Sequence, residues 1–227
     1  MNPRSITVQK APARTEQLVL MFHGVGADPD GLVPLGRRMG AAFPNATIVS
    51  IASPRPTGNG GYEWFSTVGI TEANRVARVA EAMPGFLAEI AGWQHALDVT
   101  PHVTALLGFS QGGIMALEAS VFADSPAARV VAIASRFARL PDRAPACATL
   151  HLLHGKQDPV IPYRHTIEAA HHLRDLGGDV TADVIPFVGH EINEELAALA
   201  IERLRGYIPK RVWEEALRAD PAAKRVQ

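Results

Sequence analysis

Short apolar runs alternate with longer amphipathic stretches along the chain. Gln17–Phe22 (QLVLMF) and Ala46–Ile51 (ATIVSI) are continuously or nearly continuously apolar, the mark of strands buried on both faces. Residues 103–107, 130–134 and 149–153 read the same way. Val180–Ile185 alternates, which places it nearer a sheet edge, and Ile6–Gln9 reads as an edge strand. Between these runs the apolar spacing changes to three and four. Over residues 71–94, Val76, Val79, Met83, Phe86, Leu87, Ile90 and Trp93 fall on one helical face. Pro84 within that stretch predicts a kink or a break. Ile114, Leu117 and Val121 mark a second helix. Residues 163–176 form a third, with Gly177-Gly178 as its stop signal. Ile192, Leu196, Leu199, Arg203 and Tyr207 mark a fourth, with Pro209 beyond its end. Residues 54–61 (PRPTGNGG) are too rich in Pro and Gly for an element and read as a loop. Trp213 and Leu217 are placed to dock a last helical turn, and residues 220–227 read as a frayed tail.

Strands alternating with helices predict an α/β domain with a mostly parallel central sheet and helices on both faces. The 227 residues show no repeat and no interdomain linker, so one domain over 1–227 is expected, with about 210–227 as a C-terminal extension. At 47% apolar and 20% charged residues the chain is not collagen, coiled coil or wholesale disorder. A net charge of −1 gives no bulk electrostatic footprint for nucleic acid or an anionic membrane. Cys147 is the only cysteine, which excludes an intramolecular disulfide and zinc sites built on several thiolates. The opening MNPRSITVQKAPARTEQ lacks the apolar core of a secretory signal, and no run approaches the roughly 18–20 apolar residues of a membrane span. The expected location is cytoplasmic.

The chemistry concentrates at Gly108-Phe109-Ser110-Gln111-Gly112-Gly113, between a predicted strand and a predicted helix. G-x-S-x-G in that setting is the nucleophile elbow of α/β-hydrolases. A sharp turn exposes the serine hydroxyl above the sheet, and glycines are needed where neighbouring backbone passes close by. Serine is a weak nucleophile without a base, and the base needs an orienting carboxylate. In this fold the chain order is Ser, then Asp or Glu, then His. Asp158, in HGKQDPVIP after the strand at 149–153, and His190, after the strand at 180–185, supply that order. The other eight histidines fit less well: His23, His95 and His102 precede the serine, and His165, His171 and His172 lie within a helix. His151 and His154 stand three apart on a strand and point to opposite faces, which argues against a shared metal. Glu194 stands where H-E-x-x-H would need its second histidine, so a zincin is excluded. An oxyanion hole is expected from the backbone N–H of Gln111 and that of Val25, in FHGVGAD after the strand at 17–22.

These segments, LVLMFHGVGAD, YEWFS, LLGFSQGGIMAL, LLHGKQDPVIP and VGHEI, span residues 18–192, and the chain resembles the phospholipase/carboxylesterase family of α/β-hydrolases. The resemblance implies an α/β-hydrolase fold without a large lid and hydrolysis of carboxylic esters through an acyl-enzyme. It implies Ser110, Asp158 and His190 as the triad, and Val25 and Gln111 at the oxyanion hole. It places Trp64 and Phe65 near the substrate groove, with Arg136 and Val160 as further pocket candidates. No cofactor or metal is implied. The expected partner is a small-molecule ester or thioester, with no nucleic acid and no integral membrane association; a homodimer stays open. Acyl-protein thioesterase or lysophospholipase activity is the nearest alternative, and a binding protein on an inactive hydrolase scaffold is the non-enzyme one. Dienelactone hydrolases share the fold but place cysteine at the elbow, where this chain has Ser110. Two positions depart from the family pattern: Ser66 replaces an acidic residue after the aromatic pair, and Arg136 stands where Ser-Gly is common. Arg136 has two readings, an internal salt bridge to an acid such as Glu63 or Asp142, or a contact to a substrate carboxylate or phosphate.

Overall fold

The computed structural model describes residues 1–58 and 60–219. Nine strands and six α-helices follow in chain order among these residues. They are β1 (Ile6–Gln9), β2 (Gln17–Phe22), α1 (Val33–Ala42), β3 (Ala46–Ile51), β4 (Arg55–Pro56), β5 (Tyr62–Glu63), α2 (Glu72–Leu97), β6 (Thr104–Phe109) and α3 (Gln111–Ser120). Then come β7 (Arg129–Ile133), β8 (Thr149–Gly155), α4 (Arg164–Asp175), β9 (Val180–Ile185), α5 (Glu194–Gly206) and α6 (Lys210–Ala219). Seven strands form the central sheet in the order β1-β3-β2-β6-β7-β8-β9, and only β1 runs antiparallel to its neighbour. This is an α/β-hydrolase architecture, with β1 and β9 at the edges as their sequence patterns suggest.

Strand alternation divides the core in two. Leu18, Leu20 and Phe22 of β2 face the cluster under α2, α3 and α4, while Val19 and Met21 face the cluster under α1 and α5. Both faces are covered, which is why the inner strands read as unbroken apolar runs. At roughly 25 cal/mol per Å² of apolar surface, each fully buried Leu or Phe contributes about 2 kcal/mol.

Two helices depart from the sequence reading. The apolar spacing does not announce α1, because Pro34 opens it and Gly36 and Gly40 occupy its buried face beside Leu35 and Met39. A methyl group at Gly40 would displace the Gln9 side-chain amide, which donates to Phe43 O and Ala46 O. Pro84 does not break α2, which runs through it. The proline and Ala80, whose carbonyl loses its helical donor, are both exposed, so water can satisfy the freed acceptor. Burial of Val79, Met83, Phe86 and Ile90 holds the helix on both sides of the proline. At its start, Thr71 and Asn74 form a reciprocal cap, with Thr71 N–H to Asn74 Oδ1 at 2.8 Å and Asn74 N–H to Thr71 Oγ1 at 3.3 Å.

Trp213 and Leu217 lie on α6 but do not dock; they remain 56% and 58% exposed. The tail expected over 220–227 lies outside the described residues. Among the described residues no helix is long and apolar enough to cross a membrane.

Candidate active site

Strand order reverses beside β2 and β6, which are neighbours although far apart in the chain, and Phe22 is level with Gly108. The crevice at the carboxyl ends of such strands is where ligands collect in open parallel sheets. The segment after β2 and Ser110 after β6 therefore meet above the sheet. A methyl group on Gly24 would touch Phe109 and the Ser110 Cβ at 3.1 and 3.3 Å, so this segment lies directly on the serine.

Ser110 sits between β6 and α3 with φ 52° and ψ −116°, a conformation that L-residues rarely adopt. Its N–H donates to Ile133 O at 2.9 Å, and the Ser135 hydroxyl donates to its carbonyl at 2.8 Å. Both bonds tie the strained turn to β7 and the residues after it. Side chains at Gly108 and Gly112 would overlap backbone, at Gly112 itself in the first case and at Phe22 in the second. The glycine pattern of the motif is thus a packing requirement of this turn.

Asp158 and His190 arrive from the loops after β8 and β9. His190 Nδ1 donates to Asp158 Oδ2 at 2.7 Å, and its Nε2 lies 3.0 Å from Ser110 Oγ. With the proton on Nδ1, Nε2 is free to accept from the serine hydroxyl. Asp158 is fully committed: Oδ1 accepts from the N–H groups of Val160 and Ile161 at 2.8 and 2.9 Å. Burial alone would raise its pKa; the hydrogen bonds from His190, Ile161 and Val160 outweigh that and hold the carboxyl below its ordinary value.

His154, to which the sequence assigns no part in the site, is the second imidazole on Asp158. Its Nε2 donates to Asp158 Oδ2 at 3.1 Å and to Ile161 O at 2.7 Å, and its Nδ1 accepts from the Thr166 hydroxyl at 2.7 Å. Burial lowers its pKa, so the ring is neutral and this donor pattern is fixed. A histidine at the end of a buried strand, four residues before the acid, is the signal that marks this contact in the sequence.

Gln111 has a part beyond its backbone N–H. Its side chain accepts from Trp64 N–H and donates to Phe65 O, both at 2.7 Å, clamping the aromatic pair beside the serine. His23 holds the other wall: Nδ1 donates to Gly24 O at 2.7 Å and Nε2 accepts from Ser53 N–H at 3.2 Å. Among the described residues the backbone N–H groups of Val25 and Gln111 have no protein acceptor. Gln111 opens α3, where such donors are free and favour negative charge.

A cavity of about 370 Å³ opens on Ser110, and Val25, Phe65, Gln111, Arg136 and Val160 all line it. Trp64 is not among its walls. That side chain is 4% exposed, donates from its indole N–H to His23 O at 2.8 Å and packs edge-on against Phe22 and Phe86, so it is part of the core. A larger cavity of about 490 Å³ lies beyond Phe65, with Trp64, Arg78 and Glu89 in its walls, and does not reach Ser110. Arg136 pairs with Glu72 at 2.8 Å rather than with Glu63 or Asp142. Those two acids face Arg55 and Arg139, each at 3.7 Å.

A family model described as phospholipase/carboxylesterase matches residues 4–206. Esterase YpfH of Escherichia coli is 43% identical over 211 residues, 92% of this chain and 91% of that protein. Among solved structures, esterase PE8 is similar with a TM-score of 0.81 at 27% identity, over 90% of this chain and 97% of that one. The Bacillus cereus carboxylesterase follows the same fold, with a TM-score of 0.74 at 17% identity over 87% of this chain and 91% of the other.

Proposed function

The chain belongs to the phospholipase/carboxylesterase family, and from that premise we propose that it hydrolyses small carboxylic esters as a serine esterase with Ser110, His190 and Asp158 as its triad. The observation that carries this reading is the hydrogen-bond chain from Ser110 Oγ through His190 to Asp158, at 3.0 and 2.7 Å. Ser110 Oγ attacks the acyl carbon while His190 Nε2 takes its proton, and Asp158 stabilises the imidazolium that forms. The N–H groups of Val25 and Gln111 stabilise the developing oxyanion, each by about 3 kcal/mol of barrier. His190 returns the proton to the departing alkoxide, leaving an acyl-enzyme. Water, deprotonated by His190, then releases the acid and restores the serine. The cavity of about 370 Å³ suits a small substrate, and the expected setting is the cytoplasm.

The test is a panel of aryl esters and thioesters of graded acyl length, run on the wild type and on Ser110→Ala. Turnover of short esters by the wild type and none above background by the variant supports the reading. Equal turnover by both overturns it, and a strong preference for long-chain thioesters would favour an acyl-protein thioesterase instead.

A further inference from the structure

The wall of the Ser110 cavity carries three guanidinium groups, from Arg75, Arg136 and Arg164, against one carboxylate, Glu72. The whole chain has a net charge of −1, so this concentration is local. Glu72 serves two of the arginines at once. Its Oε2 accepts from Arg136 Nη2 at 2.8 Å, and its Oε1 accepts from Arg136 Nη1 at 3.1 Å and Arg75 Nη2 at 2.9 Å. The two arginine side chains are only 17% exposed, whereas that of Glu72 is 66% exposed. The cations are therefore held in the wall by an anion that faces solvent.

Arg75 is underpaired. Its Nε–H is buried and has no acceptor among the described residues. Arg136 also lies 3.4 Å from His165 Nε2, and burial together with this neighbouring cation lowers the His165 pKa, so the ring is a neutral acceptor. Arg75 has only a shared oxygen of the Glu72 carboxylate, and its buried Nε–H is left unmatched at a cost in desolvation. Guanidinium groups match the two oxygens of a carboxylate in fixed geometry.

We propose that Arg75 and Arg136 form the specificity site for an ester that carries a second, free carboxylate. The ester carbonyl sits at Ser110, and the free carboxylate competes with Glu72 for the two guanidinium groups. The inference rests on Ser110 being the nucleophile, and its test separates the two claims. Mono(4-nitrophenyl) adipate and 4-nitrophenyl hexanoate have acyl chains of equal length and differ by the terminal charge. The quantity read is the ratio of kcat/KM, adipate monoester over hexanoate.

The wild-type ratio is expected to be about ten or more, as one charge-assisted contact provides, and to fall as KCl is raised. Arg75→Gln and Arg136→Gln should each lower the ratio about tenfold, mainly through KM for the anionic ester. Glu72→Gln should raise it, because the competing carboxylate is gone; a purely structural ion pair predicts no such gain. A ratio unmoved by either arginine substitution overturns the proposal. If neither arginine variant folds, a wild-type ratio indifferent to salt overturns it. Ser110→Ala must abolish turnover of both esters; if it does not, the nucleophile assignment fails, whatever the ratio.

Discussion

His151 and His154 leave β8 on opposite faces of the sheet, three residues apart, and both are fully buried. Burial lowers the pKa of each, and His151 is pushed down to about 4, with the nearby Arg129 and Arg203 adding to the effect. On perturbation alone His151 would be the stronger functional candidate. Its partners say otherwise. Arg129 donates to Nε2 at 3.3 Å, Nδ1 faces the Thr181 hydroxyl at 2.9 Å, and the ring meets the Tyr207 ring edge-on. The Tyr207 hydroxyl donates to Asp179 at 2.6 Å, and burial with that bond pushes its pKa up to about 12. This network ties β7, β8 and β9 to the end of α5. His154 shares its one N–H between Ile161 O and the acid of the candidate triad. The two rings share a pKa shift set first by burial and differ in where their hydrogen bonds lead, one into a structural network and the other toward Asp158.

Substitution should separate the two ends of this comparison widely. Ser110→Ala and His190→Ala are expected to lower kcat by about four orders of magnitude with the melting transition retained. Asp158→Asn should be severe but somewhat milder, because it disturbs the imidazole tautomer. His151→Leu belongs to the opposite class, with kcat/KM within a few-fold of wild type. Steady-state kinetics on the folded variants settles this, and a His151 variant as inactive as the His190 one would erase the distinction.

A smaller effect is expected at His154. His154→Leu removes one donor from Asp158 and leaves the Thr166 hydroxyl without its acceptor. A lost hydrogen bond to a charged group is worth about 1.5–3 kcal/mol, so kcat/KM should fall by roughly tenfold to a hundredfold. Wild-type kinetics in this variant would return His154 to the class of His151.

A further effect is on stability against pH. The folded state refuses a proton on His151 until about pH 4, whereas an unfolded histidine takes one up near pH 6.5. Between those values the unfolded chain binds more protons, so stability falls as the pH is lowered through that window, by up to roughly 3 kcal/mol. His23 and His154 shift in the same direction and share the wild-type slope. Denaturant titrations from pH 7 to about 4 should therefore be less steep for His151→Leu than for the wild type. Parallel slopes would show that His151 is not held neutral.

The sheet was legible because both of its faces are covered, which makes the pattern of β2, β3, β6, β7 and β8 apolar at nearly every position. Ser110, Asp158 and His190, which the structure brings within hydrogen-bond reach of one another, were legible because the elbow demands glycine at fixed places and the candidate residues follow in the expected chain order. What escaped notice is spatial. Gly36 and Gly40 hide α1, since close approach to β1 replaces the apolar side chains that would announce a helix. Pro84 signals a break that tertiary packing overrides. Arg136 finds Glu72, an acid 64 residues away whose nearness depends on how α2 lies across the sheet. Trp64 looks like a substrate contact beside Phe65, but its indole N–H is spent on His23 O and its ring packs against Phe22 and Phe86.

The central claim is that Ser110 is the nucleophile and that His190 activates it. Labelling the wild-type protein with a fluorophosphonate, followed by proteolysis and mass spectrometry of the peptides, tests it most directly. The account predicts one modified peptide, with the adduct on Ser110, labelling that runs in step with loss of esterase activity, and labelling slowed by orders of magnitude in His190→Ala. An adduct on another residue, or full esterase turnover in protein stoichiometrically labelled at Ser110, would contradict it.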